Sequence, residues 1–246
     1  MSTSKKDIIE GLKKGILLQQ GFKTPQENQP TIAGLSALEA AFPHGVFPRG
    51  ALHEFLCGTP EHSAACGGFI AGLLGTLMQQ SGACIWISLS RRLFPPALSA
   101  FGVAPERIIF VDLQRERDVL WATEEALRCE GVAAVVAELR EVSFTQSRRL
   151  QLAVEKSKVT GFLLRNDPQR VGATTCVARW RITPLPSELT DGLPGVGFPR
   201  WRVELLKVRN GSPGNWILEW SEGSFVQVEE EPGQVLKVIE PHRKAG

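Results

Sequence analysis

The stretch Leu52–Leu74, LHEFLCGTPEHSAACGGFIAGLL, is the part of this 246-residue chain around which the other elements are arranged. Residues His53–Cys57 predict a short strand, a Gly/Pro turn follows, and an apolar helix is expected over Phe69–Gln80. Strand, glycine turn and helix N-terminus in this order are the layout of a phosphate-binding loop, in which the start of the helix faces an anion.

The side chains that phosphate chemistry needs are missing from this element. A phosphate-binding loop uses Gly-Lys-Ser/Thr at the start of its helix, where the lysine meets the phosphates and the hydroxyl holds Mg²⁺. No Gly-Lys dipeptide occurs in the chain. Counted from Gly58, the three places hold Ser63, Ala64 and Ala65, and the frame one residue later gives Ala64, Ala65 and Cys66. The sequence therefore predicts an NTPase-shaped element that does not hydrolyse NTP, with these residues as a degenerate nucleotide site.

Composition excludes several classes of protein. The chain is 43% hydrophobic and 22% charged, which is ordinary for one soluble domain of moderate size. No apolar run approaches the ~20 residues of a membrane span or forms a signal-peptide core, so a cytoplasmic location without membrane contact is expected. Five cysteines without a CxxC pair and four histidines without metal-ligand spacing argue against a disulfide framework and a zinc site. We expect no metal and no cofactor.

The chain divides into four segments. Residues 1–22 predict an amphipathic helix, because Ile8, Leu12 and Ile16 recur at helical spacing among lysines. The pattern leaves open whether this helix docks on a partner or packs on its own domain. The remaining segments are a polar linker at 23–31, a core at 32–228 and a flexible tail at 229–246.

Strands and helices alternate through the first part of the core, which is typical of βαβ units with a parallel sheet. The buried strands are predicted at Ala83–Leu89, Arg107–Asp112, Val132–Leu139 and Gly161–Arg165. From Thr174 onward, polar and apolar residues alternate, which predicts antiparallel strands. These are expected at Thr175–Ile182, Arg200–Val208, Trp216–Trp220 and Phe225–Val228.

The order and spacing of these elements resemble the core of the RecA recombinase family over about residues 32–228. The resemblance is carried by IAGLSALEAAFPHGVFPRGALHEFL up to the first strand, by VAAVVAEL in the place of the Walker B strand, and by LLKVRNGSPGN in the place of a late hairpin. It implies an α/β, RecA-like three-layer fold, with a mostly parallel central sheet flanked by helices and antiparallel strands at the C-terminal end.

The residues that are catalytic in the RecA family are replaced by others in this chain. Ser90 stands where the resemblance implies a catalytic glutamate, Glu138 replaces the Walker B aspartate, and Asn166 replaces the sensor glutamine. The two loops that carry DNA in a recombinase look shortened, and they fall at Arg140–Phe144 and Asp167–Gly172.

Glu138 has two interpretations. It would be the sixth member of the degenerate nucleotide site, because open α/β sheets bind ligands at the carboxyl ends of their strands. Without the lysine of an intact loop, an ion pair with Arg91, Arg92 or Arg140 is the favoured interpretation.

The chain is similar, more specifically, to the ImuA family. This resemblance is carried by PRGALHE at Pro48–Glu54, by LWATEEALR at Leu120–Arg128, and by a RecA-like core without the Walker lysine. ImuA is the accessory protein encoded beside ImuB and an error-prone DnaE-type polymerase in damage-inducible mutagenesis cassettes. The resemblance implies a non-catalytic adaptor in SOS-induced translesion DNA synthesis, which links an ImuB-like polymerase complex to RecA at damaged DNA.

A basic band between residues 140 and 181 is the second candidate site. It contains nine Lys/Arg against three acids, and we expect it to contact a protein partner or, more weakly, DNA. Alternation around Trp180 and Trp201 favours core positions for both rings and would expose Arg179, Arg181, Arg200 and Arg202. Two alternatives to the adaptor remain at this point: a weak ATPase with an atypical loop, and a direct DNA-binding module. The candidate surface residues are Arg140, Arg148, Arg149, Lys156, Lys158, Arg165, Arg179 and Arg181.

Overall fold

The computed structural model describes residues 31–79, 82–168, 170–187 and 197–229. The predicted N-terminal helix at 1–22 lies outside the described residues. So do the linker at 23–31, except Thr31, and the tail at 229–246, except Glu229.

A single nine-stranded sheet forms the centre of the described part of the chain, in the order β3-β2-β4-β5-β1-β6-β7-β8-β9. Its first six strands are parallel to one another, and β6 to β9 are antiparallel. The predicted α/β class is therefore confirmed, with a mostly parallel sheet and antiparallel strands at its C-terminal end. The strands are β1 Leu52–Cys57, β2 Ala83–Ser88, β3 Ile108–Asp112, β4 Val132–Leu139, β5 Thr160–Asn166, β6 Ala178–Leu185, β7 Arg200–Val208, β8 Gly214–Ser221 and β9 Ser224–Val228.

Helices cover both faces of this sheet and give three layers. The helices are α1 Ser36–Glu39, α2 Pro60–Leu77, α3 Glu116–Leu127 and α4 Phe144–Ser157, and two 3₁₀ segments lie at Pro95–Phe101 and Pro105–Arg107. Side chains of α1 and α2 pack into one hydrophobic core, and side chains of α3 and α4 pack into a second core on the opposite face. None of the described helices has the length and apolar character needed to cross a membrane.

Strand β1 lies between the two cores, and all six of its residues are buried. Because successive side chains of a strand point to opposite faces, Phe55 belongs to the core under α2 and Leu52 to the core under α3 and α4. Burial on both faces explains why four of the six residues of β1 are apolar without strict alternation.

Aromatic rings dominate the core under α2. The rings of Phe55 and Trp180 stack 6.0 Å apart, and those of Phe69 and Phe225 lie 5.2 Å apart. Trp180 and Trp201 are both buried, so the predicted core position of these rings is confirmed. Offset and edge-on ring pairs of this kind add about 0.5–1.5 kcal/mol each beyond the area they bury.

Candidate functional site

The predicted phosphate-binding turn has only two residues, Gly58 and Thr59, between β1 and α2. Helix α2 begins at Pro60, so the prediction of a helix that starts at Phe69 is wrong at its N-terminal end. The reason is local: Thr59 is the N-cap, its hydroxyl oxygen accepts the backbone N–H of His62 at 3.4 Å, and proline occupies the first helical position.

This early helix start removes the backbone cradle of a phosphate-binding loop. Two residues reach at most about 7 Å, which is too short to wrap around a phosphate chain. Pro60 has no N–H, and the Ser63 N–H donates to the Thr59 carbonyl at 3.0 Å. Glu61 already places a carboxylate in the first turn, and a hydrogen bond with Thr59 holds the pKa of Glu61 below its usual range. The negative charge of Glu61 would repel an anionic ligand at this position.

Four of the six predicted nucleotide-binding residues, those at positions 63 to 66, lie within α2 and do not form a loop. Ala64 is exposed, whereas Ala65 and Cys66 are buried in the core. Burial is the main reason that the pKa of the Cys66 thiol is raised, and its contact with Cys57 raises the pKa further. Two of the four positions, 65 and 66, therefore face the protein interior, where they cannot reach a ligand.

Glu138, at the end of β4, bonds to neutral groups. Its Oε1 accepts the indole N–H of Trp86 at 2.8 Å, and its Oε2 accepts the Asn166 amide at 3.3 Å. Burial raises the pKa of Glu138, and these two hydrogen bonds and the more distant Arg92 oppose the rise. Both carboxylate oxygens of Glu138 therefore already accept hydrogen bonds from within the fold.

The predicted ion pair of Glu138 with Arg91, Arg92 or Arg140 is wrong. Arg91 donates to Asp112 at 2.6 Å and lies 4.8 Å from the centroid of the Phe110 ring. Neither Arg92 nor Arg140, both of which are described and exposed, forms an ion pair with Glu138.

A buried ionic cluster lies on the α3/α4 side of the sheet, and we call it the Arg165 cluster. Glu54 is 0% exposed and Arg165 is 1% exposed, and their side chains pair at 2.8 Å. The second oxygen of Glu54 pairs with Arg179 at 2.6 Å and accepts the Thr174 hydroxyl at 3.0 Å. Arg165 also pairs with Glu141 at 2.7 Å. The cluster consists of Glu54, Glu141, Arg165, Thr174 and Arg179.

The Arg165 cluster holds the loops that follow β4 and β5. The Arg165 guanidinium donates to the Arg140 carbonyl at 3.2 Å, in the loop after β4, and to the Arg170 carbonyl at 2.7 Å, in the loop after β5. Arg179 donates to the Gly172 carbonyl at 2.6 Å. Hydrogen bonds to charged groups contribute about 1.5–3 kcal/mol each, so these loops are held firmly.

Sequence reasoning missed Glu54 as the centre of this cluster. A signal was present, since an acidic residue in the apolar run LHEFLC has to be paired when the strand is buried. Its partners could not be named, because they lie 111 and 125 residues further along the chain.

The predicted basic band is not one surface. Arg165 is 1% exposed, so the prediction that it is a surface residue is wrong, and Arg179 is 14% exposed and pairs with Glu54. Arg200 is 9% exposed, so its predicted exposure is also wrong. Arg181 is exposed, as predicted, and pairs with Glu204 at 3.5 Å on the antiparallel half of the sheet.

The basic residues of α4 lie on a helix face that carries acids as well. Arg149 and Arg128 both pair with Glu124 of α3, at 2.5 and 2.6 Å. Arg148 pairs with Glu155 at 3.7 Å, and Lys158 donates to the Glu155 carbonyl. Arg149, Lys156 and the exposed Leu152 line a shallow pocket of about 350 Å³ between α3 and α4. Most of the positive charge here is therefore balanced within the fold.

Comparison with known proteins finds no protein-family model that matches the chain. The chain is 36% identical over 218 residues to Protein ImuA of Caulobacter vibrioides strain NA1000, a match that covers 83% of this chain and 88% of that protein. Protein ImuA of Caulobacter vibrioides strain CB 15 matches with the same identity and coverage.

Proposed function

The chain belongs to the ImuA family, and from this premise we propose that it acts by binding, as a non-catalytic adaptor in damage-inducible mutagenesis. In this proposal it links an ImuB-like subunit of an error-prone polymerase complex to RecA at damaged DNA. The family resemblance supports the role in translesion synthesis, and the geometry of the site supports the absence of catalysis.

The start of α2 is the observation that carries the non-catalytic part of the proposal. A nucleotide triphosphate needs backbone donors, a lysine and a metal-holding hydroxyl at this position. The two-residue turn leaves no loop, and Ala65 and Cys66 are buried. Glu138, the acid nearest in role to a magnesium ligand, bonds to Trp86 and Asn166.

Nucleotide binding is tested by the thermal midpoint of the purified chain with and without Mg-ATP. Because a ligand stabilises only the state that binds it, we expect a shift below about 1 °C at millimolar ATP. Glu138→Gln is the matched variant, since it keeps the shape of the side chain and removes its charge. A larger ATP shift that Glu138→Gln abolishes would instead support a weak ATPase.

The adaptor role is tested by equilibrium binding of the full chain to purified RecA and to the purified ImuB-like subunit from the same organism. The proposal requires saturable binding to both proteins. Absence of binding to either protein, with the chain folded by circular dichroism, would refute the link.

Direct DNA binding is the second candidate, and the exposure of Arg148, Arg149 and Lys156 on α4 favours it. It requires affinity for single-stranded DNA that falls steeply with salt and falls further in the Arg148→Ala/Arg149→Ala double variant. The acids that already pair with both arginines weigh against this candidate.

A further inference from the structure

Four large apolar side chains are exposed along one edge of the sheet, where the parallel strands end. Leu89 and Phe94 lie in the loop after β2, Phe144 begins α4 after β4, and Val171 lies in the loop after β5. Their exposed fractions are 41%, 68%, 57% and 49%. Since β2, β4 and β5 are neighbours in the sheet, these side chains belong to one edge of the molecule. Exposed apolar groups that concentrate in one region mark an interaction site.

Arginines that lack an ion-pair partner share this edge. The loops at 89–94, 113–115, 140–143 and 167–173 contain five arginines and two acids. One arginine, Arg91, pairs with Asp112, and one acid, Glu141, pairs with Arg165. Among the described residues this leaves one exposed acid, Asp167, and four exposed arginines without an ion pair. These are Arg92, Arg115, Arg140 and Arg170.

We call these eight residues the carboxyl-edge surface: Leu89, Phe94, Phe144 and Val171 with Arg92, Arg115, Arg140 and Arg170. They follow four adjacent strands, β3, β2, β4 and β5. Strands lie about 4.8 Å apart, so the strand ends beneath the surface span about 14 Å. This width suits an extended peptide or the end of a helix.

The four loops are tied to one another by contacts that the fold already makes. Arg91 and Asp112 join the loop after β2 to β3. The Glu116 carboxylate accepts the Arg140 backbone N–H at 2.7 Å and so joins the start of α3 to the loop after β4. Arg165 joins that loop to the loop after β5. A surface that is ordered before binding loses little conformational entropy when a partner docks.

Phe144 is fixed in the same way. Ser143 caps α4, its hydroxyl oxygen accepts the Gln146 N–H at 3.2 Å, and the Gln146 side chain accepts the Ser143 N–H at 2.8 Å. This reciprocal capping box sets the direction in which the first residue of the helix leaves the loop.

We propose that the carboxyl-edge surface binds an acidic segment of a protein partner, anchored by apolar side chains. Guanidinium groups pair with carboxylates in bidentate geometry, and none of the four arginines forms an ion pair with an acid among the described residues. Two of the four apolar groups, Leu89 and Val171, are aliphatic and have no ring face on which a nucleobase could stack. A protein segment is therefore favoured over single-stranded nucleic acid as the occupant. The proposal rests on the adaptor function, whose partner it places on a defined part of the molecule.

Two full-length variants test the proposal against RecA and the ImuB-like subunit as probes. Arg92→Glu/Arg170→Glu reverses two charges and leaves the Arg170 carbonyl that Arg165 uses. Phe94→Ser removes an apolar anchor. For at least one of the two probes, we expect each variant to weaken binding about tenfold or more.

The matched control is Trp121→Ser/Lys207→Glu on α3 and β7. Trp121 is 65% exposed, close to the value for Phe94, and Lys207 is an exposed cation away from the edge. We expect this variant to bind both probes with unchanged affinity. All variants are first matched for thermal midpoint, so that a loss of binding is not a loss of folding.

The outcomes separate the surface from the function. If the unmodified chain binds neither probe, the adaptor function fails and the proposal fails with it. If the unmodified chain binds while the edge variants bind as well as the control, the function stands and the surface assignment is wrong. If the edge variants lose affinity only for an oligo-dT strand and keep both protein partners, the surface takes nucleic acid and the proposal is overturned.

Discussion

His53 and Glu54 are neighbours on β1, both are 0% exposed, and they face opposite sides of the sheet. His53 lies among aromatic rings: Phe47 stacks on it at 4.5 Å, and the Trp180 indole N–H donates to its Nδ1 at 3.4 Å. Its Nε2–H donates to the Pro48 carbonyl at 2.8 Å. Glu54 lies between two guanidinium groups, those of Arg165 and Arg179.

These two residues show that a strand can bury a polar group in two ways, with different consequences. Burial lowers the pKa of His53 to about 4, so the ring is neutral at neutral pH and needs only two hydrogen bonds. Glu54 sits between two cations, and a buried charge requires such partners. Those partners also hold loop carbonyls. The hydrogen bonds of the neutral His53 therefore stabilise only the core, whereas the cations that pair with Glu54 also hold the loops at the carboxyl edge.

Removing the central cation of the Arg165 cluster should destabilise the protein most. Arg165→Met should lower the free energy of unfolding by about 3–5 kcal/mol, because it leaves Glu54 and Glu141 without their shared cation. Urea unfolding measures this loss, and hydrogen exchange should rise at residues 140–143 and 170–173. The same substitution at the exposed Arg148, Arg148→Met, should cost below about 0.5 kcal/mol. Equal losses of unfolding free energy from the two substitutions would mean that the Arg165 cluster stabilises the protein no more than an exposed ion pair does.

The buried neutral ring of His53 should make the stability of the protein depend on pH. The folded pKa of His53, about 4, lies below the ordinary value of 6.5, so the unfolded state takes up the proton first. Its contribution to stability is complete above pH 6.5 and is lost as the pH falls towards 4. At about 1.36 kcal/mol per pH unit, this loss amounts to about 3 kcal/mol.

The check compares urea unfolding at pH 7 and pH 4.5 for the unmodified chain and for His53→Gln. The variant should lose part of the pH dependence, while His62→Gln, a change at a more accessible histidine, should keep it. An unchanged pH profile in His53→Gln would contradict the assignment of a buried neutral ring.

A smaller effect tests how tightly the aromatic core under α2 is packed. A Cβ at Gly72 would lie 2.5 Å from Phe225 and 2.9 Å from Trp220, so Gly72→Ala should cost about 1–3 kcal/mol through overpacking. Gly67→Ala in the same helix is the control, because its nearest neighbour would be 3.9 Å away. The control should gain up to about 1 kcal/mol from helix propensity. Thermal unfolding of the two variants compares them, and loss of stability in both would point to a general intolerance of α2.

The sheet could be predicted from the sequence because its signals are local. Apolar runs of strand length between helices indicate a parallel sheet, and the alternation around Trp180 and Trp201 indicates which residues point inward. The apolar run from Phe69 predicts a start of α2 that is too late, because Thr59 and Pro60 already supply a capping signal for an earlier start.

The Arg165 cluster could not be predicted, because register decides it. Pairing of β1 with β5 and β6 sets Glu54 opposite Arg179 and close to Arg165, which are far away in sequence. The basic residues that cluster in sequence between positions 140 and 181 likewise do not form one cluster on the surface. Strand alternation placed Arg165 and Arg179 on the face that α3 and α4 cover, whereas the basic residues of α4 stayed outside.

The two-residue turn between β1 and α2 bears on how this scaffold could change. In an intact phosphate-binding loop, losing the lysine is a point substitution, and a second substitution can reverse it. Here a lysine installed at Ala64 would project from a regular helix with no backbone donors around it, because residues 60–63 are already helical. A phosphate-binding loop at this place would need new residues inserted between Cys57 and Pro60 together with an unwound first turn. Single-base substitutions alone do not insert residues, so they could not build such a loop here.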